Sequence, residues 1–359
     1  MRSSEKQASD SLEAYRKEAL RKWILLSLSL ILLLVAIFVS LSVGSSNLTV
    51  YEAFEGLIGK GDDVTETIIW RIRLPRVVTS IMAGAGLAAA GAAMQTVLRN
   101  PIGSPVTLGI SQAAAFGAAF AVVVLGAGTL HSGMVDAVVN DNIYLVSVCA
   151  FAASMVSTGV IILLARFKRA SPESMILTGV AMGSLATAGT TAMEYFADDV
   201  QLSSIIFWTF GDMGRTGWEE IVMMSIVVVP AVHYFSMNGW KYNALDMGDE
   251  TASSLGVDTE RVRLLGMGAA SLVTAFIISF VGIIGFVGLV VPHIVRKLIG
   301  ADQRYLMPAS VVFGAVLLLV SDTVARTVIS PVVLPVGILT SFLGAPLFIY
   351  LVIRGKEHW

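Results

Sequence analysis

Residues 23–43, WILLSLSLILLLVAIFVSLSV, form an apolar run without a single charge. A helix needs about 20 such residues to cross the hydrocarbon core of a bilayer. Further apolar runs follow at about 74–98, 107–128, 143–165, 175–196, 218–236, 264–281, 284–299, 307–328 and 335–353, ten in all. A chain that repeats this pattern has no soluble solution. Its spans must be helical, because lipid offers the backbone no hydrogen-bond partners.

Composition agrees with this reading. The 359 residues are 55% hydrophobic and 14% charged, against about 25% charged in soluble domains. A signal peptide would have a shorter apolar region and a small-residue cleavage site. SVGSS leaves cleavage open, but 23–43 reads as a retained first span. Residues 264–299 could be one helix or two; Gly282, Gly285, Gly288 and Pro292 favour a break. Pro101, Gly103, Pro105 and Gly109 make 97–110 a turn. The expected class is an all-α polytopic membrane protein.

Basic residues set the orientation, since they concentrate in cytoplasmic segments. Arg2, Lys6, Arg16, Lys17, Arg21 and Lys22 precede the first span, and most of the 24 lysines and arginines share that side. The opposite loops hold only Lys60 and Arg215 besides one cluster. Both termini are therefore expected in the cytoplasm. The cluster, Arg71, Arg73 and Arg76 of RIRLPR, is the exception. Its side chains could snorkel to lipid phosphate, or form a cationic ledge for an acidic partner. Asp322 and Arg326 lie four apart and can pair on one helix face; they are candidates for function or for a structural ion pair.

Small residues such as Gly84, Ala88, Gly91, Gly179 and Gly183 suit close helix packing. Gln95, Asn100, Ser104, Ser111 and Gln112 recur near turns, where they could line a pathway or cap helices. The loop 237–263 contains GDETASSLG, which predicts a short helix begun by Asp249 and Glu250, with Leu255 near its end and Gly256 as its stop. Cys149 reads as a small buried hydrophobe. The histidines (131, 233, 293, 358) form no ligand-spaced pair, so no metal site is expected. No Walker A motif or catalytic spacing is present. A pump built on this chain must couple to an ion or borrow ATP hydrolysis from another subunit.

RIRLPRVV, GAGLAAAGAAMQTVLRNPIGSPVTLGIS, GDETASSLGV, GIIGFVGLVVPHIVRKLIGADQRYLMPAS and LPVGILTSFLGAPLFIYLV together resemble the permease subunits of type II ABC importers for iron–siderophore, haem and cobalamin. The resemblance covers about 23–354, leaving a polar cytoplasmic segment (1–22) and a short cytoplasmic tail (355–359). It implies a homodimer of ten-helix subunits in the cytoplasmic membrane, two ATPase subunits inside and a substrate-binding protein outside. It implies no nucleic-acid partner and no cofactor on this chain, ATP being used by the partner subunit.

The resemblance assigns binding-protein docking to Arg73, Arg76 and Arg326, leaving snorkelling as the account of Arg71. It assigns ATPase coupling to Asp249, Glu250, Leu255 and Gly256. The cytoplasmic gate corresponds to Asn100, Ile102, Pro172 and Glu173, where SPES departs from the small hydroxyl residues of many relatives. Met94, Met193 and Met213 are candidates for cavity walls, with ordinary packing as the competing account. Ferric siderophore ranks first as substrate, then cobalamin and haem. The rival classes are an ion-coupled secondary transporter and a membrane enzyme or receptor.

Overall fold

Helix α4 (Leu74–Val97) is the axis around which the chain is built. It is buried on almost every side and packs against α9 (Trp218–Met237), α12 (Thr259–Val281), α13 (Val287–Ile299) and α14 (Gln303–Thr327). Its sequence explains this position. Alanine and glycine dominate 83–93, and such residues let neighbouring backbones approach closely. A side chain at Gly84 would strike the Gly314 carbonyl of α14, and one at Gly91 the Gly288 carbonyl of α13. Gly179 and Gly183 receive the turn at Leu108 and Gly109 rather than a second helix; Gly109 adopts φ +75° there.

The computed structural model describes residues 2–44, 48–127, 143–167, 171–330 and 332–354. Each of the ten expected runs corresponds to a helix. Besides those named, these are α1 (Arg2–Ser42), α5 (Ile110–Val123), α6 (Ile143–Phe167), α7 (Pro172–Phe196) and α15 (Val336–Arg354). Among the described residues, seven helices are long and apolar enough to cross a membrane. Helices α5 and α13 have 14 and 13 residues, about 20 Å at 1.5 Å per residue, and fall short of the ~30 Å core.

Both short helices begin after irregular backbone. Helix α12 stops at Gly282, with φ +83°, and α13 starts after Phe286, with φ +65°. The break favoured by the sequence is therefore present. Irregular backbone at membrane depth is tolerated where protein buries it or where it lines a cavity. Residues 104–107 and 284–289 meet that condition: both line one cavity of about 150 Å³.

The polar N-terminal segment is continuous with the first span, since α1 runs unbroken from Arg2. Trp23 stacks edge-on against Tyr305 of α14, with centroids 6.2 Å apart, and Lys22 lies over the same ring. Shorter helices complete the chain: α2 (Val50–Leu57), α3 (Asp63–Thr67), α8 (Asp199–Thr209), α10 (Gly239–Asp246) and α11 (Asp249–Ser254).

Candidate functional site

Each end of α4 carries a polar constellation. At its start, residues 68–73 form a π-helical turn. Such a turn holds an extra residue and is frequent at functional sites. Arg71 stays exposed, whereas Arg73 is turned inward and is only 4% exposed. Arg73 Nη1 donates to the carbonyls of Leu41 (2.5 Å) and Ser42 (2.8 Å). These carbonyls belong to the C-terminal turn of α1, where backbone acceptors lack helical partners and a cation is favoured by the helix dipole.

Arg76, one turn further on, grips Asp322 of α14 through Nε (3.0 and 3.1 Å) and Nη2 (2.9 Å). Its Nη2 also reaches Asp212 Oδ1 at 3.0 Å. Arg326 donates from Nε to Asp322 Oδ2 (3.2 Å), an oxygen it shares with Arg76, from Nη2 to Ser40 Oγ (2.8 Å) and from Nη1 to the Val43 carbonyl (3.2 Å). Asp322 is fully buried. The pairing of Asp322 with Arg326 is thus present, and a second guanidinium shares the carboxylate. Three cations against Asp322 and Asp212 leave the cluster net positive. The side chains are drawn into the protein rather than laid along a free ledge, and they fasten the ends of α1, α4 and α14 together. Sequence reasoning missed Asp212 and Ser40, whose contacts are long-range in the chain.

At the far end of α4, the GDETASSLG segment folds as expected. Helix α11 starts at Asp249, Leu255 follows it 59% exposed, and Gly256 stops it at φ +80°. Glu250 is exposed. Arg263 of α12, 2% exposed, grips Asp249 with Nη1 (2.9 Å) and Nη2 (2.5 Å). The Arg263 guanidinium holds the Asp249 carboxyl below the usual carboxylate range. Missed by the sequence reading, Arg263 was one charge among several in a basic loop.

The four gate candidates lie on two segments. Asn100 and Ile102 occupy the turn after α4, where Asn100 Oδ1 accepts from the Ile102 amide (3.0 Å) and Ile102 is 48% exposed. Pro172 and Glu173 open α7: Ser171 caps it, Pro172 takes the first position and Glu173 faces the positive helix end. SPES is therefore a helix start. The contact of Gly109 with Gly183 joins the two segments through α5 and α7.

Two recesses flank this end. One, of about 590 Å³, is lined by Gln95, Arg99, Asn100, Asp246 and Arg296. The other, about 710 Å³ between α5 and α7, is lined by Thr107, Gln112, Gly179, Ser184, Thr187 and Thr191. Ser184 and Thr187 each donate to the carbonyl four residues back, Val180 (3.0 Å) and Gly183 (2.9 Å), which satisfies their donors within α7. Met94 and Met213 have no exposure and Met193 packs in a smaller apolar cluster, so packing accounts for all three. Among the described residues no group of three His, Cys, Asp or Glu could hold a metal ion; positions 131 and 358 lie outside the described residues.

Asp302, at the turn before α14, yields a pH prediction. It accepts from Arg304 Nη2 (2.7 Å) and Asn243 Nδ2 (2.8 Å). The Arg304 hydrogen bond chiefly lowers its pKa from 3.8 to about 2. A depressed carboxylate contributes stability above 3.8 that is lost as pH falls toward the folded value. Asp302→Asn should therefore flatten the acid limb of thermal stability between those two pH values in detergent. An unaltered limb would refute the assignment.

A bundle of broken and continuous apolar helices, polar at both ends, defines a polytopic membrane protein. Residues 32–354 match the FecCD transport family. The chain is 52% identical over 328 residues to a protein of Methanocaldococcus jannaschii named as an ABC transporter permease, covering 90% of this chain and 93% of that one. It is 34% identical to the hemin transport system permease of Yersinia pestis, covering 90% and 95%. It is also 34% identical to the Fe(3+)-citrate import system permease of Bacillus subtilis, covering 89% and 92%. A solved structure described as an inward-facing, metal-chelate type ABC transporter superposes with a TM-score of 0.78 at 29% identity, over 92% of this chain and 98% of that chain. The chain belongs to the FecCD transport family and has the fold of a type II ABC importer permease.

Proposed function

We propose that this chain is the permease subunit of an ABC importer that moves a metal chelate, a ferric siderophore ahead of cobalamin or haem. Two copies form the pathway, with both termini in the cytoplasm and the arginine end outside. A substrate-binding protein delivers cargo to the Arg73–Arg76–Arg326 end. Two ATPase subunits seat on α10 and α11. The observation that carries this reading is the polarity of α4, with a net-positive cluster at one end and an exposed short helix locked to the other. Exposed Met247 and Leu255 beside Glu250 give α11 the mixed surface of a helix that fits a partner's groove.

Against ion coupling stands the state of Asp322. Asp322, buried near the outer end of its span, is already held by two guanidinium groups, so it offers no free carboxylate to a travelling cation.

Uptake by proteoliposomes holding permease and ATPase tests the reading. Chelate should enter with ATP and with the binding protein, and not with a non-hydrolysable analogue. Uptake with the analogue would overturn it. The docking end has its own measure. Asp212, 37% exposed at its side chain, is the outer counter-ion of Arg76. Asp212→Asn should tighten the binding protein about 3- to 10-fold, chiefly through its association rate. An unchanged affinity would remove the cluster from the docking surface.

A further inference from the structure

The turn after α4 is built in an unexpected way. Arg99 donates its amide to Thr96 O and Asn100 to Gln95 O, each at 3.0 Å. This is the paired closure that ends many helices, in which the residue after the cap adopts a left-handed conformation and is usually glycine. Here that residue is Arg99, with φ +46°. A side chain with a Cβ is strained in this region and persists where its surroundings require it.

The Arg99 side chain shows what it reaches. Its Nη1 lies 3.7 Å from Asp249 Oδ1, the carboxylate gripped by Arg263. Arg263 in turn donates from Nε to the Val97 carbonyl at 2.9 Å. Val97 is the last residue of α4, and its carbonyl has no helical donor. One buried guanidinium therefore spans the first residue of α11 and the last of α4. The planar fork permits this: two nitrogens face the carboxylate while Nε faces the carbonyl. Lysine carries the charge and lacks the fork.

We infer that Arg263 is a positioning residue that makes α11 and the 97–103 turn move as one body, with Arg99 as a second tie to the same carboxylate. Displacement of α11 by the ATPase then shifts Asn100 and Ile102 directly, without passing along the length of α12. This rests on the proposed seating of α11 in the ATPase.

The experiment uses the full complex in lipid, with spin labels at Glu250→Cys and Ile102→Cys, both exposed positions. In the parent chain the distance between the labels should stay narrow and constant with and without nucleotide. Arg263→Lys should broaden it and lower chelate moved per ATP hydrolysed about tenfold, the order of a single strong coupling. Arg99→Gly separates linkage from stability: thermal stability should rise as the strain is relieved, while chelate moved per ATP falls. A purely structural role would not move these two in opposite senses. Where Arg263→Lys fails to assemble, Asp249→Asn at the half-exposed partner carries the same reading.

A narrow distance and an unchanged transport ratio in these variants would overturn the inference. Crosslinking from Glu250→Cys to the ATPase tests the underlying reading separately. If no crosslink forms, the seating falls and this inference with it. If it forms and the ratios hold, only this inference falls.

Discussion

Asp322→Ala will be the most damaging polar substitution in the chain, costing about 3–5 kcal/mol because it strands buried guanidinium charge. The carboxylate is fully buried and accepts from both Arg76 and Arg326. Without it those two cations face each other, with Arg73 and the α1 carbonyls nearby. Lipid cannot hydrate them. Arg76 retains Asp212 at its exposed edge, and Arg326 retains Ser40, so the arrangement should loosen rather than refold. Thermal melting in detergent would report it. Asp322→Asn should do less damage, because the amide keeps one acceptor oxygen against the Arg76 fork. Combining Asp322→Ala with apolar replacements of Arg76 and Arg326 should recover most of the loss, since removing a whole buried ionic group is often close to neutral. That triple variant should fold and, on the docking role proposed above, fail to bind the delivery protein. If the single alanine variant melts like the parent, the cluster carries no structural weight.

How much of this was legible beforehand varies with the range of the interaction. All ten apolar runs became helices because the bilayer requirement acts on each run by itself. The break at 282–286 was readable because Gly282 and Gly285 announce it locally, whereas Pro292 is carried inside α13. The short helices α2 and α8 escaped notice, although Thr49 with Glu52 and Asp198 with Gln201 form capping boxes, a local signal that could have found them. The serine and proline of SPES are also a local signal, since they mark the start of α7. The arginines stand out in the sequence as cations on the sparsely charged side, but their surroundings do not. Arg76 meets Asp322 across 246 residues and Arg263 meets the Val97 carbonyl across 166. No spacing rule joins such positions, and a backbone carbonyl leaves no mark in a sequence. Arg99 is the sharpest case: its left-handed backbone sits where glycine would ordinarily announce a helix stop.

The second large effect concerns packing and carries no charge. A Cβ at Gly91 would fall on the Gly288 carbonyl, and one at Gly288 would lie 2.8 Å from the Leu87 carbonyl. Neither neighbour is a flexible side-chain tip, so the backbones themselves must part. Gly288 lies in the first turn of α13, just after Phe286 and its strained φ. Gln95 Nε2 donates to the Leu289 carbonyl at 3.0 Å one turn below, so parting the helices also breaks that bond. Gly91→Ala should cost at least the ~1–3 kcal/mol typical of overpacking, and Gly91→Val should abolish a monodisperse preparation. Gly159 of α6 provides the control, because nothing lies within 4 Å of its added Cβ. Gly159→Ala should be neutral or stabilise by up to about 1 kcal/mol, the helix preference of alanine over glycine. Size-exclusion profiles and melting curves of the two alanine variants distinguish the cases. Equal behaviour would mean that α4 and α13 do not approach as closely as the structure has them, and that the short α13 is held by something other than this glycine pair.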